Sequence, residues 1–158
     1  MSPPLYVKAV GSVSSIMLGT LGLRHIAAPG RPIPLLPNDA AFQRHLWAGL
    51  EASELSPGQM ACGHLLGFAM LGLAVSKLTT LFSGKEGTYL RRNLLLAFGA
   101  LDIVMSTSLL QFEKGFQVAG ASVKYFSLMQ FVEGAVFLYD GLFRPRPPKP
   151  STKAAKGQ

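Results

Sequence analysis

The chain carries no formal charge across residues 55–76, a stretch built largely of Leu, Gly, Ala and Met. An α-helix rises about 1.5 Å per residue, so roughly 20 apolar residues cross a hydrocarbon core of about 30 Å. Three shorter apolar segments accompany this stretch, and together they predict four transmembrane helices over residues 9–23, 60–82, 93–112 and 123–143. The first is the shortest. Lys8 and Arg24 at its ends lengthen it, since their stems can lie along the helix while the charges reach water. The expected fold class is therefore all-α, an integral membrane bundle of about four transmembrane helices.

Two segments break the helical pattern. Pro29, Pro32, Pro34 and Pro37 forbid regular helix and predict an extended surface segment. After them, Phe42, Leu46 and Leu50 recur every fourth position, which predicts a short amphipathic helix over residues 38–55 capped by Asn38 or Asp39. Trp47 lies beside that stripe as an interface anchor would. The same stripe equally suits a face packed on another protein; both readings put the helix at the membrane edge. The second break begins at Arg144, where Arg-Pro-Arg-Pro-Pro-Lys-Pro opens an extended, basic, Pro-rich tail. The chain thus divides into a transmembrane helical domain, residues 1–143, and a tail, residues 144–158. Arg144, Arg146 and Lys149 are its candidate partner-binding residues.

Composition agrees with the pattern. Of 158 residues, 49% are hydrophobic and 15% charged, against about 25% charged in ordinary soluble domains. The net charge of +7 does not indicate nucleic acid, because the basic residues sit in loops and the tail rather than among aromatics on one face. Cys62 is the sole cysteine, which excludes a disulfide, a cysteine zinc cluster or a Cys-x-x-Cys pair within the chain and reads as an inert buried thiol. Residues 1–9 lack the Arg-rich amphipathic character of a transit peptide, so any import signal is expected to be internal.

Charge also sets the expected orientation. On one side of four spans lie Lys8, Lys85, Arg91, Arg92, Arg144, Arg146, Lys149, Lys153 and Lys156; on the other lie Arg24, Arg31, Arg44, Lys114 and Lys124. This nine-to-five excess puts both termini on the cytoplasmic or matrix-like face. Small residues mark where helices can approach one another: Gly11, Ser15 and Gly19 fall four apart, Gly63 and Gly67 form Gly-x-x-x-Gly, and Gly134 and Gly141 are one heptad apart.

Lys77, Asp102 and Glu133 are the chemistry-bearing residues, because charges at bilayer depth are costly and are usually paired or functional. Asp102 lies about 15 Å along its helix from Arg92, Glu133 about 16 Å from Arg144, and Lys77 about 12 Å from Lys85. A three-member intramembrane cluster on spans two, three and four is geometrically possible. Such a group could fix helix register, pair with a neighbouring subunit's Arg or Lys, relay protons or bind a polar substrate.

Other candidates are weak. His25, His45 and His64 show no metal-ligand spacing. Gln111, Gln130 and Tyr139 can add polar contacts without forming a catalytic motif. The glycines from Gly63 to Gly72 sit inside a span rather than in a phosphate loop, and Ser12, Ser14 and Ser15 have no neighbouring base in sequence. The function expected is non-enzymatic: a structural accessory subunit of a large multisubunit membrane complex, of the respiratory chain or ATP synthase in the mitochondrial inner membrane. Its partners would be other subunits and membrane lipids, with structural phospholipids and no catalytic cofactor or metal. The alternative is an independent small transporter or membrane enzyme using the Lys77, Asp102 and Glu133 cluster, and the thylakoid and endoplasmic reticulum membranes are alternative locations.

Overall fold

The structure, a computed structural model, describes residues 2–32, 50–83, 88–116 and 121–145. These form four α-helices: α1 Leu5–Ala27, α2 Pro57–Phe82, α3 Thr88–Phe116 and α4 Ala121–Phe143. The described residues contain no strand. Three helical stretches, Leu5–Ala27, Pro57–Phe82 and Tyr89–Gln111, are long and apolar enough to cross a membrane. The segment expected to be the shortest span is among them, at 23 residues, because the helix runs past both ends of 9–23. α4 is as long, but Lys124, Glu133 and Asp140 lower its apolar content.

Local chemistry sets the helix ends. α2 opens with a capping box in which the Gln59 amide donates to Ser56 Oγ at 3.3 Å and the Ser56 amide to Gln59 Oε1 at 2.9 Å. Pro57 follows at the first helical position, where its missing N–H costs nothing. This cap moves the helix start ahead of the expected residue 60. α1 ends as the Ala28 amide bonds Arg24 O at 2.8 Å. Gly30 then turns the chain at φ +76, where a Cβ would meet Leu55 Cδ1 at 2.7 Å.

The amphipathic helix expected over 38–55 lies mostly outside the described residues, and Trp47 with it. Its expected last turn is not helical. Residues 52–54 form a turn, with the Glu54 amide bonded to Glu51 O at 2.9 Å and the Glu51 amide to Glu54 Oε2 at 2.8 Å. These local bonds compete with helix continuation and lead directly into the Ser56 cap. Arg146 and Lys149 also lie outside the described residues.

The helices pack as two pairs. α1 packs chiefly on α2 and α3 chiefly on α4, while lighter contacts of α1 with α4 and α2 with α3 close the ring. Glycines permit both close approaches. A Cβ on Gly67 would come within 2.7 Å of Gly22 O, and one on Gly134 within 2.8 Å of Gly99 O, so each crossing is backbone against backbone. Gly11 faces the Leu81 and Phe137 side chains, and Gly141 faces Leu96. Gly19 makes only ordinary contact with Ala74, while Gly63 is buried.

What is buried reverses the arrangement of a soluble domain. Among the described residues, seven apolar side chains are buried against thirteen polar or charged ones. Val7, Leu81, Leu95 and Phe137 form a small core, whereas Leu65, Val13, Phe68, Leu128 and Phe143 point outward. An apolar exterior around a polar interior suits hydrocarbon rather than water. Cys62, expected to be buried, belongs to this exterior: it is exposed on α2, on a face that also presents Leu65 and Leu66.

Candidate functional site

All four helices contribute to one polar centre. Lys77, on α2, directs its ammonium at Asp102 on α3, donating to Oδ1 at 2.7 Å and Oδ2 at 2.8 Å, and at Glu133 on α4, donating to Oε2 at 2.8 Å. The hydroxyl of Ser14, on α1, also donates to Glu133 Oε2. Gln130, one turn before Glu133, donates through Nε2 to Ser14 Oγ at 3.4 Å. Lys77, Asp102 and Glu133 are each 0% exposed. The structure therefore brings the three charged residues together within one chain, all fully buried.

Each member reaches the centre because its helix turns its polar face inward. Ser14 and Lys77 come from the paired helices α1 and α2, Asp102 and Glu133 from the paired helices α3 and α4, so the ion pairs cross from one pair to the other. The Lys77 ammonium also lies 5.9 Å from the centre of the Phe137 ring, a cation–π distance that adds to its apolar cover. Lys77 has three N–H donors and the carboxylates offer three close oxygens, so its hydrogen-bonding capacity is filled. Two acceptors are not: Glu133 Oε1 and Gln130 Oε1 are buried and have no hydrogen-bond donor.

Further polar contacts flank the centre. Between α3 and α4 the Ser106 hydroxyl donates to Ser127 O at 2.8 Å and the Ser127 hydroxyl to Ser106 O at 3.0 Å, with both side chains buried. Thr20, Ser76, Thr80 and Thr107 return their hydroxyls to carbonyls four residues back, which hides them from an apolar surrounding. At one end of the bundle Arg91 donates to Ser83 O at 2.6 Å, Arg92 to Gly141 O, and Arg144 to Ser2 O at 2.7 Å. Lys8 lies over the Phe82 ring there, at 5.5 Å. These basic residues gather where α1 begins and α4 ends.

The remaining candidates stand apart. Ser15 is buried beside Ser14 in sequence, but its hydroxyl has no partner. His25 is buried and His64 half-buried, on different helices. Gln111 is exposed, and Tyr139 faces outward with its ring 5.3 Å from Phe143. No group of His, Cys, Asp or Glu suited to a metal occurs among the described residues.

Spacing did not single out Ser14, Gln130, Gly22 or Gly99 as members of the centre or of the helix crossings. Ser14 lacks a chemical neighbour in sequence because its partner Glu133 is 119 residues away. Comparison with protein-family models, with curated proteins and with solved structures finds no match.

Proposed function

We propose that this chain is a structural, non-enzymatic accessory subunit of a larger membrane assembly, with α4 as its fourth crossing. The observation that supports this reading is the enclosure of the centre: Lys77, Asp102 and Glu133 are spent on one another with no exposure to solvent or lipid. A group of charges used in this way fixes the relative positions of four helices. The rigid bundle then presents an apolar perimeter to lipid and to neighbouring membrane subunits. Contacts with partners outside the membrane fall to the Pro-rich segment after α1 and to the basic tail carrying Arg144, Arg146 and Lys149.

The compartment proposed is the mitochondrial inner membrane, and it rests on the sequence-level expectation alone: small size, high basicity and several short spans. Blue native electrophoresis after extraction in a mild detergent tests the proposal. Comigration with a complex of hundreds of kilodaltons supports it, and migration as a lone monomer or small homo-oligomer overturns it.

One observation favours the second reading, a small transporter or membrane enzyme. The centre holds one formal positive charge against two formal negative ones, together with two unfilled oxygens, as a polar binding site would. Loss of a transport or enzymatic activity on Asp102→Asn or Glu133→Gln, in protein that still assembles normally, would select that reading.

A further inference from the structure

The positive charge of the chain is gathered at one end of the bundle. By the order of helices and connections, the nine basic residues on the side where α1 begins and α4 ends are set against two acidic ones, Glu86 and Asp140. The five on the other side are set against four, Asp39, Glu51, Glu54 and Glu113. The first end therefore carries an excess of seven positive charges and the second an excess of one.

Three cations at the first end are held by neutral groups. Lys8, on α1, lies over the Phe82 ring at 5.5 Å. Arg92, on α3, donates to the carbonyl oxygens of Gly141 and Leu142 in the last turn of α4. Arg144, just past α4, donates to Ser2 O at 2.7 Å. A ring or a carbonyl orients a cation without cancelling its charge, and a guanidinium with five N–H groups keeps donors to spare after one or two such bonds. Asp140, the carboxylate among the described residues at this end, is 5% exposed. It accepts from the Tyr6 hydroxyl at 3.5 Å and lies 3.7 Å from Arg144, so it offsets one charge. Arg91 is buried with its guanidinium on Ser83 and is not counted with the three.

We propose that this end of the bundle binds the phosphate groups of anionic phospholipids through Lys8, Arg92 and Arg144. The apolar surface beside these cations suits the rest of such a molecule. Tyr6, Phe82, Tyr139 and Phe143 are exposed at the same end, by 48%, 60%, 61% and 72%, and offer rings to acyl chains at the depth where aromatic residues favour the membrane boundary. Basic groups above exposed rings match an anion carried on hydrocarbon; a free phosphate in water would use the first and not the second. Lys8, Arg92 and Arg144 also stand on different helices around the rim rather than converging on one pocket, which suits several lipids at the perimeter. The binding requires that the bundle lie in a membrane, and it is the same for a chain acting alone or within a complex.

Electron spin resonance of the full chain in phosphatidylcholine membranes, with spin-labelled phosphatidylglycerol or phosphatidylcholine as the probe, tests this. Association should favour phosphatidylglycerol by about fivefold, the equivalent of one basic contact. The preference should fall toward equality in about 1 M salt, where charges are screened within about 3 Å. Lys8→Gln combined with Arg144→Gln should at least halve it, whereas Arg31→Gln, at the other end, should leave it unchanged. Equal association of the two lipids with the wild-type chain overturns the proposal, as does a preference that survives the double substitution or is lost with Arg31→Gln. Abolition of the preference by inorganic pyrophosphate at fixed ionic strength also overturns it, and would identify a soluble phosphate as the ligand. Photoactivatable phosphatidylglycerol locates the site on the wild-type chain and stays decisive if the double variant fails to fold. Crosslinks should fall within residues 2–8 or 139–145, and crosslinks confined to residues 24–32 would place the lipid at the wrong end.

Discussion

Lys77 and Asp102 meet at 2.7 Å across the boundary between α2 and α3, although these two helices otherwise touch only lightly. The bundle is thus two glycine-packed helix pairs joined through a charged centre, and the two kinds of contact should respond differently to substitution.

Replacing Lys77 with Met keeps the length of the side chain but leaves Asp102 and Glu133 buried without a cation. Loss of one partner from a buried pair costs about 3–5 kcal/mol, so the variant should unfold in mixed micelles at markedly lower denaturing-detergent fraction. Adding Asp102→Asn should recover part of the loss, because it removes the charge that Lys77 balanced. Wild-type stability of Lys77→Met would mean that the centre does not hold the helices.

The glycine crossings answer to volume instead. Gly22→Val or Gly67→Val drives a side chain into the facing backbone, and Gly134→Val does the same between α3 and α4. Overpacking of this kind costs about 1–3 kcal/mol. Gly72→Ala is the control: a Cβ there meets nothing within 4 Å, so its stability should equal or slightly exceed wild type. Melting curves for the four variants should separate the three from the control.

Ser106 and Ser127 each donate to the other's carbonyl oxygen. Interhelical hydrogen bonds in membrane proteins average about 0.6 kcal/mol, and Ser106→Ala or Ser127→Ala should each cost about that much. The double variant measures their coupling. A loss several times larger from either single substitution would show that the helix crossing itself depends on the hydroxyl.

The contact of Arg144 with Ser2 O, at 2.7 Å, places the start of α1 and the end of α4 at the same end of the bundle. Single cysteines at positions 2 and 149, in a chain with Cys62 replaced by Ser, should react with a membrane-impermeant maleimide from the same side. A cysteine at position 31 should react from the other. Labelling of positions 2 and 149 from opposite sides would require an odd number of crossings.

The sequence showed the helices most clearly where long apolar runs faced little competition, as in α2. The depths of Lys77, Asp102 and Glu133 could be counted from flanking basic residues, because helical rise is fixed. The side on which each residue sits could not be counted in that way, since it depends on how α2, α3 and α4 rotate against one another. Ser14 and Gln130 were correspondingly silent: a hydroxyl and an amide become meaningful only beside Glu133. Gly67 formed a visible repeat with Gly63, yet its close contact is Gly22, in another helix. Gly99 met Gly134 in the same way, with no repeat to announce it. The start of α2 was legible in the pattern Ser56-Pro57-Gly58-Gln59, which the apolar run that follows overshadowed.

Chain order gives the charged centre a consequence for synthesis. Lys77 precedes Asp102 by 25 residues and Glu133 by 56, so a polypeptide threaded into the bilayer from its N-terminus delivers the cation before either acid has been made. An unaccompanied Lys costs about 2.5–3.5 kcal/mol at the centre of a helix on insertion scales and less toward its end; Lys77 lies five residues before the end of α2, so its cost falls below that range without vanishing. The first two helices therefore wait in a strained condition that only the arrival of the second two relieves, and a nascent chain arrested before residue 102 should remain with its insertion machinery rather than partition into lipid.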